Sequence, residues 1–323
     1  MRAPEGPSSR VRGYLLALLA AACWASGGLI AKWLFSAPSE ATASWPLPPL
    51  GLQIAPATLS GARALSSSLI LVAFLAVRRP QALRTRPQTI PFLALFGVVG
   101  MAGVHFTYFK TISLTSVATA ILLQYLAPIL VMVVSVLFLG HRFMWTLPVG
   151  VALSVGGCAL VVGALGDTGL VVSTAGIAWG LAAAVCFAAY SLMGSWATGR
   201  VSPETTLAFG LAFAAAFWAI VLGPAEIVRP FTDWRLAGAI TYMAVFSTVI
   251  PFSAFLVALE HIPPTNATVT STIEPVLAGL GAFALFGESF GLLQLVGGLL
   301  VIAAIAVVQL PDPDPLPLLP PQD

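Results

Sequence analysis

The feature that most constrains this chain is a run of about 20 apolar residues, ended by a short polar break and then begun again along nearly the whole sequence. A helix rises 1.5 Å per residue, so each run can cross the roughly 30 Å hydrocarbon core of a bilayer. Only 8% of the residues are charged and 59% are hydrophobic; a soluble domain carries roughly 25% charged residues to dress its surface. Backbone amides find no water partner in lipid, and the runs lack the alternation of strands. Helices are therefore expected, and the fold class is an all-α polytopic membrane protein.

Breaking the sequence at charges, prolines and glycines predicts ten transmembrane helices, at 13–35, 57–77, 89–109, 115–139, 144–164, 173–197, 205–223, 236–259, 264–286 and 291–310. Residues 1–12 form a short cytoplasmic N-terminus, and 36–56 is a long loop rich in Pro, Ala and Ser. The tail 311–323, PDPDPLPLLPPQD, is acidic and proline-rich, cannot continue a helix, and is expected to be disordered. With the N-terminus inside, Arg2, Arg10, Arg12, Arg78, Arg79, Arg84, Arg86, Arg142 and Arg200 are cytoplasmic, against Lys32, Lys110, Arg229 and Arg235 outside. That asymmetry predicts both termini in the cytoplasm and the cell (inner) membrane as location. The first span follows arginines, as a signal peptide does, but its pairing with a later span argues that it is retained.

The net charge of +2 sits in loops and makes no basic patch for a nucleic acid. Cys23, Cys158 and Cys186 lie inside apolar runs without a CxxC spacing, and read as small buried residues. No cofactor and no metal site is expected. The expected partners are a small-molecule substrate and the lipid bilayer, and a homodimer is compatible with the pattern.

The sequence repeats itself. Residues 13–33 align with 176–196 at a constant offset of 163, which pairs Gly13 with Gly176, Cys23 with Cys186, Trp24 with Phe187 and Trp33 with Trp196. At an offset of 147, Ala120 meets Ala267, Pro128 meets Pro275, Gly140 meets Gly287, Phe143 meets Phe290 and Gly150 meets Gly297. An insertion in the first loop accounts for the difference of 16. Residues 13–164 and 173–310 thus form two repeats of five spans. An odd number of spans turns the second repeat upside down, a construction that recurs in secondary transporters with a site near mid-membrane.

At these residues the sequence resembles the drug/metabolite transporter superfamily, in particular EamA family transporters with two EamA domains. Residues 258–308 show a Glu-Pro in one helix, then Gly-Glu, then a last helix containing glycines; residues 113–143 resemble the same element, and Gly61-Ala62-Arg63 resembles the family's arginine in span two. The first half departs from the pattern with Ala127-Pro128 in place of Glu-Pro, and with His141 after Gly140. The resemblance implies transport, more often export, of small metabolites such as amino acids, or of amphiphilic drugs. It also implies a central cavity lined by spans 1, 3, 4, 6, 8 and 9, with spans 5 and 10 at the outer edge.

Polar groups inside a membrane are costly, so each is a candidate for function. Glu274 leads, about ten residues into span nine; it is the candidate for proton coupling. Asn266, Thr270 and Glu274 recur at i, i+4 and i+8 and share one helical face, expected to look into the cavity. Pro275 frees the Ser271 carbonyl and Pro128 that of Gln124. Such carbonyls line a wet cavity, or else the prolines only kink the helices for packing. Trp24, His105, Tyr108, Gln124, Tyr125 and Tyr190 form the next tier; aromatic rings can hold planar, apolar or cationic groups, or simply pack and anchor. Arg63, near the outer end of span two, is expected to snorkel to headgroups. No GxxxxGK[ST] loop supplies ATP-driven transport, and no paired aspartates or nucleophile–base set suits an intramembrane enzyme. A secondary transporter working by alternating access is the leading expectation; an enzyme or a non-transporting receptor or scaffold is the alternative.

Overall fold

A computed structural model describes residues 7–36, 38, 39, 42, 48–141, 143–164, 173–286 and 291–310. Arg2, Arg142, much of the segment 36–56, Asp167, Gly287, Glu288, Phe290 and residues 311–323 lie outside them. The described residues are helical, without strands. Eight helices are long and apolar enough to cross a membrane: α1 (Ser8–Trp33), α2 (Pro56–Arg78), α3 (Pro87–Leu114), α4 (Val117–Leu137), α6 (Thr174–Ala197), α7 (Pro203–Leu222), α8 (Trp234–Ala258) and α9 (Pro264–Phe286). Two apolar helices are shorter, α5 (Thr146–Val161) and α10 (Leu292–Val307), at 16 residues each. That length spans about 24 Å.

Local chemistry sets where the helices begin. Ser116, Ser173 and Ser202 cap α4, α6 and α7 by accepting from the N–H groups of Thr119, Gly176 and Thr205 at 3.1, 3.0 and 3.2 Å, and Asp233 caps α8. Prolines stand in the first turns of α2, α7 and α9, where a missing N–H costs nothing. The outer surface is what lipid requires. Ile220 is 84% exposed, Leu69 62% and Leu137 69%, and on α10 the exposed Leu292, Leu295, Leu299 and Ile302 make one unbroken apolar stripe. Water would not tolerate so much apolar surface on a single chain.

Several helices depart from regular α geometry, and they do so in matching places. The helical path of α4 breaks at Tyr125 and Leu126, and that of α9 at Thr272 and Ile273, the same 147 residues further on. Wide π-helical turns occupy Phe96–Gly103 in α3 and Val245–Val249 in α8. The first is eased by its glycines: a methyl group at Gly97 would stand 2.5 Å from the Gly210 carbonyl of α7.

Helices at corresponding places also lie against one another in opposite directions. In the α2–α7 pair, Arg79 bonds Glu204 at 2.6 Å near one end and Thr58 bonds Glu226 of the segment after α7 at 2.8 Å near the other. In the α5–α10 pair, Gly150 faces Val308 while Gly157 faces Gly297 and Val301. This second contact is tight, since a Cβ on Gly157 would lie 2.8 Å from the Gly297 carbonyl and one on Gly297 would lie 2.7 Å from the Gly157 carbonyl. Such a seam is how membrane helices gain van der Waals contact when lipid offers no hydrophobic push.

Replacing Gly297 by Leu is therefore expected to force the α5–α10 backbones apart and lower stability by about 1–3 kcal/mol. Gly156→Ala, where a methyl group meets nothing within 4 Å, should be neutral or stabilising by about 0.5–1 kcal/mol. Thermal unfolding of the two purified variants in detergent separates them; equal melting temperatures would mean the glycine seam is not a packing contact.

Candidate substrate site

The middle of the bundle holds a cavity of about 90 Å³. On this measure a water needs roughly 10–15 Å³, so the cavity takes several waters or one small molecule. Its walls come from α1 (Trp24, Gly27, Gly28, Ala31), α3 (Val104, His105, Tyr108, Phe109, Ile112), α4 (Val117, Gln124), α6 (Phe187), α8 (Met243, Ser247, Phe252) and α9 (Glu274). Arg63 of α2 completes the wall. Neither α5 nor α10 contributes.

Two prolines build its polar end. Pro275 has no N–H to give the Ser271 carbonyl, and the Tyr125 hydroxyl takes that carbonyl at 2.8 Å. The same hydroxyl lies 2.6 Å from Oε2 of Glu274. Glu274 occupies the first turn of the helical segment that restarts after the break, Glu274–Phe286, where the helix dipole favours an acidic group. A tyrosine has one hydroxyl proton. Both short contacts are satisfied together when Glu274 is protonated and donates to Tyr125 while Tyr125 donates to Ser271. A tyrosine donating to an ionised Glu274 leaves the Ser271 carbonyl without a proton.

Pro251 acts in the same way on α8. It removes the N–H that would bond the Ser247 carbonyl, and the Arg63 guanidinium takes this acceptor instead, Nη2 to O at 2.5 Å. Arg63 Nε donates to Thr248 Oγ1 at 2.6 Å, and the guanidinium stands 5.6 Å from the centre of the Phe109 ring. Arg63 is thus 6% exposed and does not reach for headgroups, contrary to the snorkelling expected from its place near a helix end. The expectation failed because a carbonyl freed on another helix, and a wide turn that presents it, are invisible in the arginine's own neighbourhood of sequence.

The cavity also holds polar atoms that no protein group satisfies. Trp24 Nε1, both ring nitrogens of His105, Gln124 Oε1 and Ser247 Oγ are buried without a hydrogen-bond partner. Each such group costs about 1–3 kcal/mol unless something bonds it. Beneath them Trp24, Phe187 and Phe252 form an aromatic floor, with ring centres 5.8 Å apart for Trp24–Phe187 and 5.3 Å for Trp24–Phe252.

Of the residues singled out from sequence, Trp24, His105, Tyr108, Gln124 and Glu274 meet in this cavity. Asn266, Thr270, Ser271 and Tyr190 have their side chains elsewhere. Asn266 Nδ2 donates to Tyr14 Oη and to the Val308 carbonyl, both at 2.7 Å. Thr270 and Ser271 hydroxyls bond back to the Asn266 and Ala267 carbonyls, and the Tyr190 hydroxyl donates to the Phe252 carbonyl at 3.1 Å. The i, i+4, i+8 spacing assumes an unbroken helix; the break at Thr272 and Ile273 turns Glu274 away from the face that Asn266 and Thr270 share. Pro128 stands at the restart of α4, as Pro275 does in α9.

A many-spanning helical bundle with a central, mainly apolar cavity that holds a few buried polar and charged groups is the architecture of a membrane transporter. The EamA-like transporter family model matches residues 11–163 and again 174–310, and the chain belongs to that family. It is 26% identical over 306 residues to YicL of Salmonella typhimurium, an inner membrane transporter whose own role is uncharacterized, covering 93% of this chain and 95% of the relative. The threonine/homoserine exporter RhtA of Escherichia coli K12 is 28% identical over 241 residues, 73% of this chain and 76% of its own. A solved crystal structure shares the fold, with a TM-score of 0.70 at 21% identity over 92% of this chain and 96% of that one. The protein is therefore a multi-pass membrane transporter.

Tyr125→Phe removes the hydroxyl that serves the orphaned Ser271 carbonyl, and should destabilise by about 1–3 kcal/mol. Tyr190→Phe should cost less, because Leu256 carries an N–H that can serve the Phe252 carbonyl along the helix. Comparing the melting temperatures of the two variants checks this; a Tyr190→Phe loss as large as that of Tyr125→Phe would contradict the role given to Pro275.

Proposed function

We propose that the protein is a secondary carrier with ten membrane-spanning helices in two inverted five-helix repeats, which exports small metabolites, amino acids or related compounds, by alternating access. The observation that carries this reading is the buried cavity, in which Glu274, Arg63 and several unpartnered polar atoms converge at the middle of the bundle. Inverted repeats are supported by the breaks and wide turns in register and by the antiparallel α2–α7 and α5–α10 contacts. The name of the relative RhtA supports export and an amino-acid cargo. Amphiphilic drugs are the second cargo class; the small cavity argues against bulky ones. Trp24, His105, Tyr108, Gln124 and Glu274 contact the substrate in this conformation. Asn266, Thr270, Ser271 and Tyr190 serve the rearrangement between states, with Pro128 and Pro275 at the helix breaks.

The cavity draws its walls from the later halves of α1 and α3. Towards the start of α1, Asn266 ties α9 to Tyr14, and a Cβ on Gly13 would already lie 2.8 Å from His261 and Ile262. This conformation is closed on the side of the N-terminus. With the N-terminus in the cytoplasm, as the arginine asymmetry argues, it is the outward-facing end of the cycle. Glu274 carries the coupling proton: it stays beside the Tyr125 hydroxyl in either state, and when ionised it also offers a carboxylate oxygen to a cationic group on the cargo. Around it stand the titratable groups Tyr125, Tyr108 and Cys158, while Arg63 lines the same cavity at a distance.

In proteoliposomes loaded with a mixture of amino acids, acidifying the opposite side of the membrane should accelerate efflux, and collapsing the pH gradient should remove the acceleration. Glu274→Gln should abolish the pH dependence. If that variant kept both the rate and the pH dependence, Glu274 would have no part in coupling; if no solute left wild-type liposomes, the carrier reading itself would fall.

A further inference from the structure

Arg63 is a buried cation without an anion. It is 6% exposed, and the acceptors it meets, Thr248 Oγ1 and the Ser247 carbonyl, are neutral. Among the described residues no carboxylate lies within ion-pair distance of it. Holding an unpaired charge away from water is costly, and two bonds leave part of a five-donor fork unused. The cavity's carboxyl group, Glu274, stands apart, with Tyr108 within electrostatic reach of both. His105, also close enough to Arg63 to feel its charge, is 4% exposed and has both ring nitrogens unpartnered. One imidazole N–H therefore adds a neutral donor to the side of the cavity that Arg63 makes positive, and the unpartnered Trp24 indole N–H is a further donor among the residues that line it.

We propose that Arg63 binds the carboxylate of the transported molecule, supported by His105 and Trp24, while the molecule's ammonium group lies towards Glu274. The cavity then selects small zwitterions, α-amino acids above all, over amines that lack a carboxylate. This deepens the transport reading and rests on it. Arg63 supplies what a point charge would not: a planar fork already held in place by Ser247 and Thr248, with donors left to pair a carboxylate. Proton and ammonium compete for Glu274, whereas the carboxylate has Arg63 to itself. Lipid phosphate is a poor alternative anion, because the guanidinium is sealed among α2, α3 and α8 rather than facing headgroups.

The test is calorimetric binding to the full-length protein in nanodiscs. The proteinogenic L-amino acids are screened on the wild type, and the tightest binder is compared with its methyl ester and its decarboxylated amine. The expected result is that both analogues bind at least roughly tenfold more weakly than the parent, and that Arg63→Gln weakens the amino acid by a similar factor while leaving the amine unchanged. Arg63→Lys, which keeps the charge and loses the fork, should recover part of the loss. Size-exclusion profiles and melting temperatures report folding; where Arg63→Gln does not fold, the analogue series on the wild type decides alone. The proposal is overturned if the amine or the ester binds the wild type as tightly as the amino acid, if no amino acid binds, or if Arg63→Gln weakens amine and amino acid alike. Failure of the carrier reading looks different: binding persists and no solute crosses a liposome membrane.

Discussion

Inside a bilayer a backbone carbonyl that loses its helical partner must find another donor, and this requirement organises the centre of the molecule. Pro251 and Pro275 each remove one N–H from a helix of the second half. The carbonyls they release, at Ser247 and Ser271, are taken by Arg63 and Tyr125, side chains of the first half. The two halves are thus joined by donors from one and acceptors from the other. Those same donors are part of, or adjoin, the charged ends of the cavity, so the bonds that hold the bundle together also position the chemistry.

The two halves share architecture without sharing the site equally. At the restart of α9 stands Glu274; at the matching restart of α4 stands Ala127. The place of Tyr125 in the first half is taken by Thr272 in the second, whose hydroxyl bonds back to its own helix at Val269. One carboxyl group, one guanidinium and one tyrosine bridge, each without a counterpart in the other half, make the cavity asymmetric, with distinct ends. A zwitterion is a molecule with distinct ends.

Polarity in this protein is scarce and therefore informative. The outward surface carries bare leucines and isoleucines, and the surface charges gather at helix ends, as with the Arg79–Glu204 pair and Arg200 over Trp196 at 4.5 Å. Pairs exposed in this way contribute little to stability. Within the bundle, hydroxyls of Thr107, Thr111, Thr268 and Thr270 fold back onto carbonyls of their own helices and are spent there. Of the buried polar atoms left unspent, those of Trp24, His105, Gln124 and Ser247 belong to residues that line the cavity with Arg63 and Glu274, and those of Ser135, Thr146, Thr206 and Trp218 lie elsewhere.

The helical class, eight membrane-length helices and the place of Glu274 in a central cavity were legible in the sequence, because they follow from hydrophobic length, from the cost of a carboxyl group in lipid and from prolines at fixed register. The membership of Trp24, His105, Tyr108 and Gln124 in one cavity could be anticipated only as a list, since helices from both halves must come together before those residues meet. Arg63 was read wrongly for a physical reason: its depth depends on a carbonyl released by Pro251, 188 residues away along the chain. The helical face proposed for Asn266, Thr270 and Glu274 failed at the break after Ser271, where two non-helical residues change the direction of every side chain that follows. Periodicity along one chain determines which residues enter the membrane. Where the backbone leaves its own hydrogen-bond ladder, only the neighbouring helices decide which side chain completes it, and that choice made the site.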